Sequence, residues 1–138
     1  MSGHKKRKCS KCDCIKEMPS SQKFCSKTCA AQNKREHKIY LWLNGYEVLT
    51  TRGNTATAHW IRDYLLEKNN YKCSKCGWGE VNSYTGKVPL ELEHIDGNFL
   101  NNSPDNLIIL CPNCHALTST YKGANKKGRP RAKYYRGS

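Results

Sequence analysis

The stretch LELEHIDGNFLNNSPDNLIILCPNCH, residues 90–115, changes its hydrophobic period at each step, and that decides the reading of the fold. Leu90 and Leu92 alternate with Glu91 and Glu93, the period-two signature of a strand. An Asp96-Gly97-Asn98 turn and a polar loop follow, and then the apolar run Leu107 to Leu110 reads as a second strand entering Cys111. Pro112 suits the first turn of a helix, where its missing N–H is not needed. The order is strand, loop, strand, helix.

Cys111-x-x-Cys114 at the helix start is half of a metal site, and Cys73-x-x-Cys76 in CSKCGWGE is the matching half after 34 intervening residues. That gap exceeds an ordinary zinc ribbon. A structural zinc ion held by Cys73, Cys76, Cys111 and Cys114 clamps both ends of the insert, so the insert is where function is expected. Successive helical residues project about 100° apart, so His115 faces away from the zinc that Cys114 holds. It is free to serve another centre.

A hard divalent ion for phosphate chemistry takes a carboxylate and often an imidazole, with water and phosphate oxygens completing its shell. Glu93 and His115 supply that pair. His94, with an ordinary pKa of about 6.5, is then available as a general base toward water. Adjacent strand residues point to opposite faces, so Glu93 and His94 reach one centre only if the strand bends at its end, a bend the Asp96-Gly97 turn makes plausible. Taken singly, Glu93 and His94 could be an exposed strand end, and Asn106 a cap of the SPDN turn.

In combination, EHIDGN, DNLIILCPNCH and TSTYKG make Cys73 to Tyr121 resemble an HNH endonuclease, the ββα-metal fold, in its four-cysteine zinc-bound form and close to small phage-encoded members. The three signature letters fall on His94, Asn106 and His115. The resemblance implies that His94 activates the attacking water and that Glu93 and His115 hold one catalytic metal, Mg²⁺ or Mn²⁺. It also implies that Asn106 hydrogen-bonds across the loop to keep His94 oriented. Many members carry Asp where this chain has Glu93, which keeps the charge on a longer arm.

Upstream, Cys9-x2-Cys12, twelve residues and Cys25-x3-Cys29 have the spacing of a small zinc finger. The expected ligands are Cys9, Cys12, Cys25 and Cys29; Cys14 is surplus and could compete with Cys12. Helix formers without Pro or Gly run from Lys27 to Asn44, with Gly45 as the stop. A second helix has Ala58, Ile61 and Leu65 at helical spacing, Thr55 or Thr57 as cap and Asn69-Asn70 as its end. His37 and His59 have no cysteine at ligand spacing and read as structural or solvated.

The formal charge of +13 is concentrated at the ends: +8 over residues 1–38, −2 over 39–121 and +7 over 122–138. Eight thiolates on two zinc ions lower the working charge to about +9. Basic ends around a near-neutral centre fit arms that grip a polyanion, DNA, around a module with a separate task. In the tail, Lys126, Lys127, Arg129, Arg131 and Lys133 are the expected DNA contacts, made to phosphates or, through Gly128-Arg129-Pro130-Arg131, in a minor groove.

No apolar run approaches a membrane span, nothing resembles a secretory leader, and knuckle-spaced thiols favour zinc over disulfides. The expectation is a cytoplasmic protein without membrane contact, possibly phage-encoded and acting in the host cytoplasm. As a whole the chain reads as a small α+β zinc-stapled protein. It divides into a basic zinc finger and the start of a linking helix (1–38), a helical connector (39–70), an HNH module (71–121) and a basic tail (122–138). The expected activity is metal-dependent hydrolysis of DNA phosphodiesters. The alternatives are a zinc-finger regulator on an inactive nuclease scaffold and an RNA-directed nuclease.

Overall fold

The computed structural model describes residues 3–46, 57 and 59–123. Two compact units divide the chain, Met1–Leu49 and Thr50–Ser138. Residue 38, where the sequence reading divided the linking helix, lies within a helix, and Lys126, Lys127, Arg129, Arg131 and Lys133, like Thr55, lie outside the described residues.

In the first unit, β1 (Lys5–Lys8) pairs antiparallel with β2 (Ile15–Met18), Lys5 opposite Met18 and Lys8 opposite Ile15. The connecting loop turns tightly: Cys9 N–H donates to the Cys14 carbonyl at 2.8 Å, and Asp13 adopts φ 60°. Cys9 and Met18 are each 1 % exposed. A core that small cannot hold a fold alone, which is why this unit depends on its thiols.

Helix α1 (Lys27–Leu43) begins where the Ser26 side chain caps the Cys29 N–H. It ends in a Schellman motif: Gly45 N–H returns to Trp42 O, Tyr46 N–H to Leu41 O, and Gly45 takes φ +79°. The glycine expected to stop the helix does so because that φ strains any residue with a Cβ. Of the apolar cluster near its end, Ile39 and Trp42, one turn apart, are buried, while Leu43 is exposed.

The second unit is built on β3 (Glu91–His94) and β4 (Leu107–Leu110), antiparallel with Glu91 opposite Leu110 and His94 opposite Leu107. Helix α2 (His59–Lys68) buries Ile61, Leu65 and Leu66 and contacts β4, while Arg62 donates to Leu90 O at 2.9 Å. Ile61, Leu90 and Ile109 are its largest fully buried side chains. Helix α3 (Pro112–Ala116) contacts both strands. With helices against both faces, strict inside-outside alternation breaks down: Glu93 is 8 % exposed and Leu92 half-buried.

The first cysteine knuckle is sewn to this sheet by Ser74 N–H on Ile109 O at 2.9 Å. Gly79 is required where the chain doubles back, since a Cβ there would stand 2.9 Å from Lys72 Cγ and 3.0 Å from Tyr71 O. Among the described residues no helix is long and apolar enough to cross a membrane.

Candidate active site and metal centres

Cys73, Cys76, Cys111 and Cys114 bring four sulfurs within 4.8 Å of one another, all but Cys76 buried. Cys76 Sγ lies 3.7 Å from Cys111 Sγ. A tetrahedral zinc ion with Zn–S of about 2.3 Å spaces its sulfurs about 3.8 Å apart, so the donors fit that ion. Their acidities diverge. Burial raises the Cys73 thiol, but the N–H groups of Cys111, Cys76 and Lys75 outweigh it and bring the thiol down to about 6. Burial, with the Cys111, Cys76 and Cys73 sulfurs, pushes Cys114 up to about 12. Four thiolates this close coexist only around a cation.

The N-terminal cluster departs from the expected set. The four sulfurs within 4.8 Å belong to Cys9, Cys12, Cys14 and Cys25. Cys14 Sγ is 3.1 Å from Cys12 Sγ, while Cys29 Sγ stands beside Cys25 at 3.5 Å. The cause is local: the Cys9–Cys14 backbone bond folds Cys14 back over the knuckle, and Cys29 is held in the first turn of α1 by its cap. Amide donation from Cys12 and Cys25 lowers the Cys9 thiol to about 6, the behaviour of a ready metal ligand.

Glu93 and His115 lie side by side. His115 Nδ1 is 2.7 Å from Glu93 Oε2, and Nε2 is 3.0 Å from Glu91 Oε2. Thr120 donates to Glu93 Oε1, and Tyr121 packs edge-on against the imidazole, centroids 5.4 Å apart. Despite its short distance to Glu93, buried His115 Nδ1 makes no hydrogen bond, because the oxygen lies out of line with it. With Nε2 beside Glu91, the neutral imidazole that a metal ligand requires would turn the Nδ1 lone pair toward the Glu93 oxygen. Two electron-rich atoms at that separation match adjacent ligands of an octahedral cation, which stand about 3 Å apart. The residues present fit a divalent ion.

His94 sits differently. Its Nε2 is 2.8 Å from Asn102 Oδ1 and 3.3 Å from Thr57 Oγ1, and Thr57 Oγ1 donates to the same Asn102 oxygen at 2.7 Å. An amide oxygen only accepts, so Nε2 carries the proton and Nδ1 keeps the lone pair. His94 is still in register on β3, and the bend comes after it, where Gly97 N–H returns to His94 O at 2.9 Å. Glu93 and His94 thus flank the strand end from opposite faces, and among the described residues no hydrogen bond or ion pair joins His94 to Glu93 or His115. Thr57, one of the expected caps of α2, faces the histidine.

Asn106 is 7 % exposed, and among the described residues no hydrogen bond joins its side chain to His94. Its amide donates to Asp96 Oδ1 and to Asn101 O, each at 2.8 Å, and its Oδ1 accepts from Asp96 N–H at 3.0 Å. The expected orienting bond across the loop is therefore indirect: Asn106 fixes the residues next to His94 and Asn102. The Asn101 amide, the Asn98 N–H and the Asn106 amide hold the Asp96 carboxyl below its ordinary 3.8.

Sequence reasoning did not single out Glu91, Thr57, Asn102 or Thr120. Only the density of asparagines in NFLNNSPDN, side chains that pin loops by bonding nearby backbone, hinted at a built loop.

No family model matches the chain, and no solved structure matches it. Three curated proteins do. The chain is 45 % identical over 76 residues to "H-N-H endonuclease F-TflIV" of Escherichia phage T5, covering 53 % of this chain and 32 % of that protein. It is 37 % identical over 63 residues to "Zorya protein ZorE" of Escherichia coli, covering 46 % and 16 %. The chain thus spans about a third of the first relative's length and about a sixth of the second's. To the "Probable HNH endonuclease" of Lactococcus phage SK1 it is 35 % identical over 65 residues, covering 45 % of this chain and 69 % of that protein. With that much of a relative matched at that identity, the chain belongs to the HNH endonuclease family.

Proposed function

We propose that this chain is a metal-dependent DNA endonuclease whose β3, β4 and α3 form a ββα-metal module. The observation that carries the reading is the 2.7 Å contact of buried His115 Nδ1 with Glu93 Oε2, an imidazole and a carboxylate brought together as a divalent ion would take them. Two of the relatives carry endonuclease in their names, and the basic ends of the chain suit a polyanionic substrate.

Glu93 and His115 would hold one Mg²⁺ or Mn²⁺, with Glu91 orienting the imidazole. Bound there, the ion supplies Lewis-acid charge neutralisation at the scissile phosphate. His94 Nδ1 takes a proton from the attacking water, and Asn102 and Thr57 keep its ring and tautomer in place. Adjacent Cα atoms are about 3.8 Å apart, so a phosphodiester lying across the strand end reaches both faces at once. Asn106 positions the loop on which Asn102 is carried. Zinc at the two cysteine clusters supports the fold, and the first unit and the basic tail, with Lys126, Lys127, Arg129, Arg131 and Lys133, grip DNA.

Incubating supercoiled plasmid with the protein and Mg²⁺ or Mn²⁺ tests the reading. Metal-dependent nicked or linear product is expected, and the ratio between them reports the cleavage mode. Retarded but uncut plasmid would replace it with a binding protein on an inactive scaffold.

A further inference from the structure

Beside Glu93 a cleft of about 480 Å³ opens between the Cys73–Cys76 knuckle, the two strands and the residues after α3. Ile108 and Leu110 give it an apolar floor, and Ser119 and Thr120 form part of its rim. Among the described residues lining it, Lys75 alone carries a fixed positive charge and Glu93 alone a negative one.

Lys75 is not placed there by its own packing. It is exposed, and it stands between Cys73 and Cys76 in a knuckle tied to β4 through Ser74 N–H on Ile109 O. Its backbone N–H points at the Cys73 sulfur. The anchor of this lysine is therefore fixed by the cysteine cluster and the sheet together, while its flexible arm reaches the cleft. A carboxylate lining the cleft repels a phosphodiester, and an ammonium lining the same cleft offsets that repulsion and adds a charge-assisted hydrogen bond.

We propose that Lys75 holds a DNA backbone phosphate in this cleft, with the sugar against the Ile108–Leu110 floor, so that the cysteine knuckle positions substrate as well as stapling the fold. The assignment rests on the nuclease reading for its rate effects. Its binding component stands independently of cleavage.

The test starts from plasmid cleavage by the unmodified protein. Lys75→Gln should raise KM about tenfold or more, the effect of losing a hydrogen bond to a charged group, with a smaller change in kcat. It should also flatten the slope of log K against log salt by about 0.9. Lys75→Arg should restore most of both, and Lys87→Gln, the same charge change on another surface, should have a smaller effect. Zinc content is measured on each variant. Unchanged KM and salt slope in Lys75→Gln would overturn the proposal.

Should Lys75→Gln lose zinc, the unmodified protein decides. Acetic anhydride labelling read by mass spectrometry should show Lys75 protected by a DNA duplex in the absence of added Mg²⁺ or Mn²⁺. Labelling of Lys75 as rapid with duplex as without it would overturn the proposal. If the unmodified protein cuts nothing, the nuclease reading fails, and the same labelling still decides whether Lys75 meets phosphate.

Discussion

His94 and Asn102 are joined by a 2.8 Å contact from imidazole Nε2 to amide oxygen, across eight positions of sequence and on the face of β3 away from His115. This contact fixes which nitrogen is basic. Asn102→Ala should therefore lower cleavage about tenfold, part of the roughly 10²–10⁴-fold a general base contributes, whereas His94→Ala should remove the whole of it. Neither should change the divalent-metal concentration at half-maximal rate. A shift in that concentration for His94→Ala would place the histidine among the metal ligands instead.

His115→Ala should raise the metal requirement, because it removes one of the two proposed protein ligands. Glu91→Gln should raise it less, since Glu91 reaches the site only through the ring of His115. Activity measured across a Mg²⁺ or Mn²⁺ titration separates the two. Equal effects would make Glu91 a ligand in its own right.

Two cysteine clusters predict two zinc ions per chain after dialysis against a mild chelator. Within the first cluster, Cys14→Ser should weaken zinc retention and Cys29→Ser should leave it nearly intact, the order the sulfur positions give. The reverse order would restore Cys29 as the ligand. Cys111→Ala should unfold the second unit, because the energy of metal binding there is folding energy.

Asp96 contributes stability through a carboxyl held below 3.8. With its folded pKa depressed, that contribution is present above the unfolded value and lost only as pH falls through the folded one. The difference in denaturant midpoint between wild type and Asp96→Ala should accordingly stay constant from about pH 5 to 8. A difference that shrinks within that range would mean the carboxyl is not held low.

Truncation after Gly123 removes the basic tail but keeps Tyr121 against His115. DNA affinity should fall and the salt slope flatten by about 0.9 for each phosphate the tail no longer neutralises, while cleavage of saturated DNA persists. Collapse of the saturated rate would tie the tail to the active site itself.

The sequence was most informative where function lies on one short piece of backbone. Cys111, Cys114 and His115 share a helix start, so helical geometry alone separated their directions, and Gly45 announced its own φ. It was least informative where the partner is chosen by the fold. Nothing in Thr57 says that it faces a histidine on β3, and Glu91 looks like any exposed strand acid until α3 packs over it. The sequence set Cys14 against Cys12, and that Cys14 would stand with the cluster in the place of Cys29 was equally hidden, since a single loop hydrogen bond folds it there.

Helix α3 has five residues, fewer than an isolated helix needs to form, and its first cap is a metal-binding thiol, with Cys111 Sγ accepting from the Cys114 N–H. His115 therefore has no address until the sulfurs are gathered. On the proposed assignments, the two kinds of ion would have to arrive in a fixed order, zinc before the catalytic metal. A chain starved of zinc would then fail to respond to added Mg²⁺ or Mn²⁺.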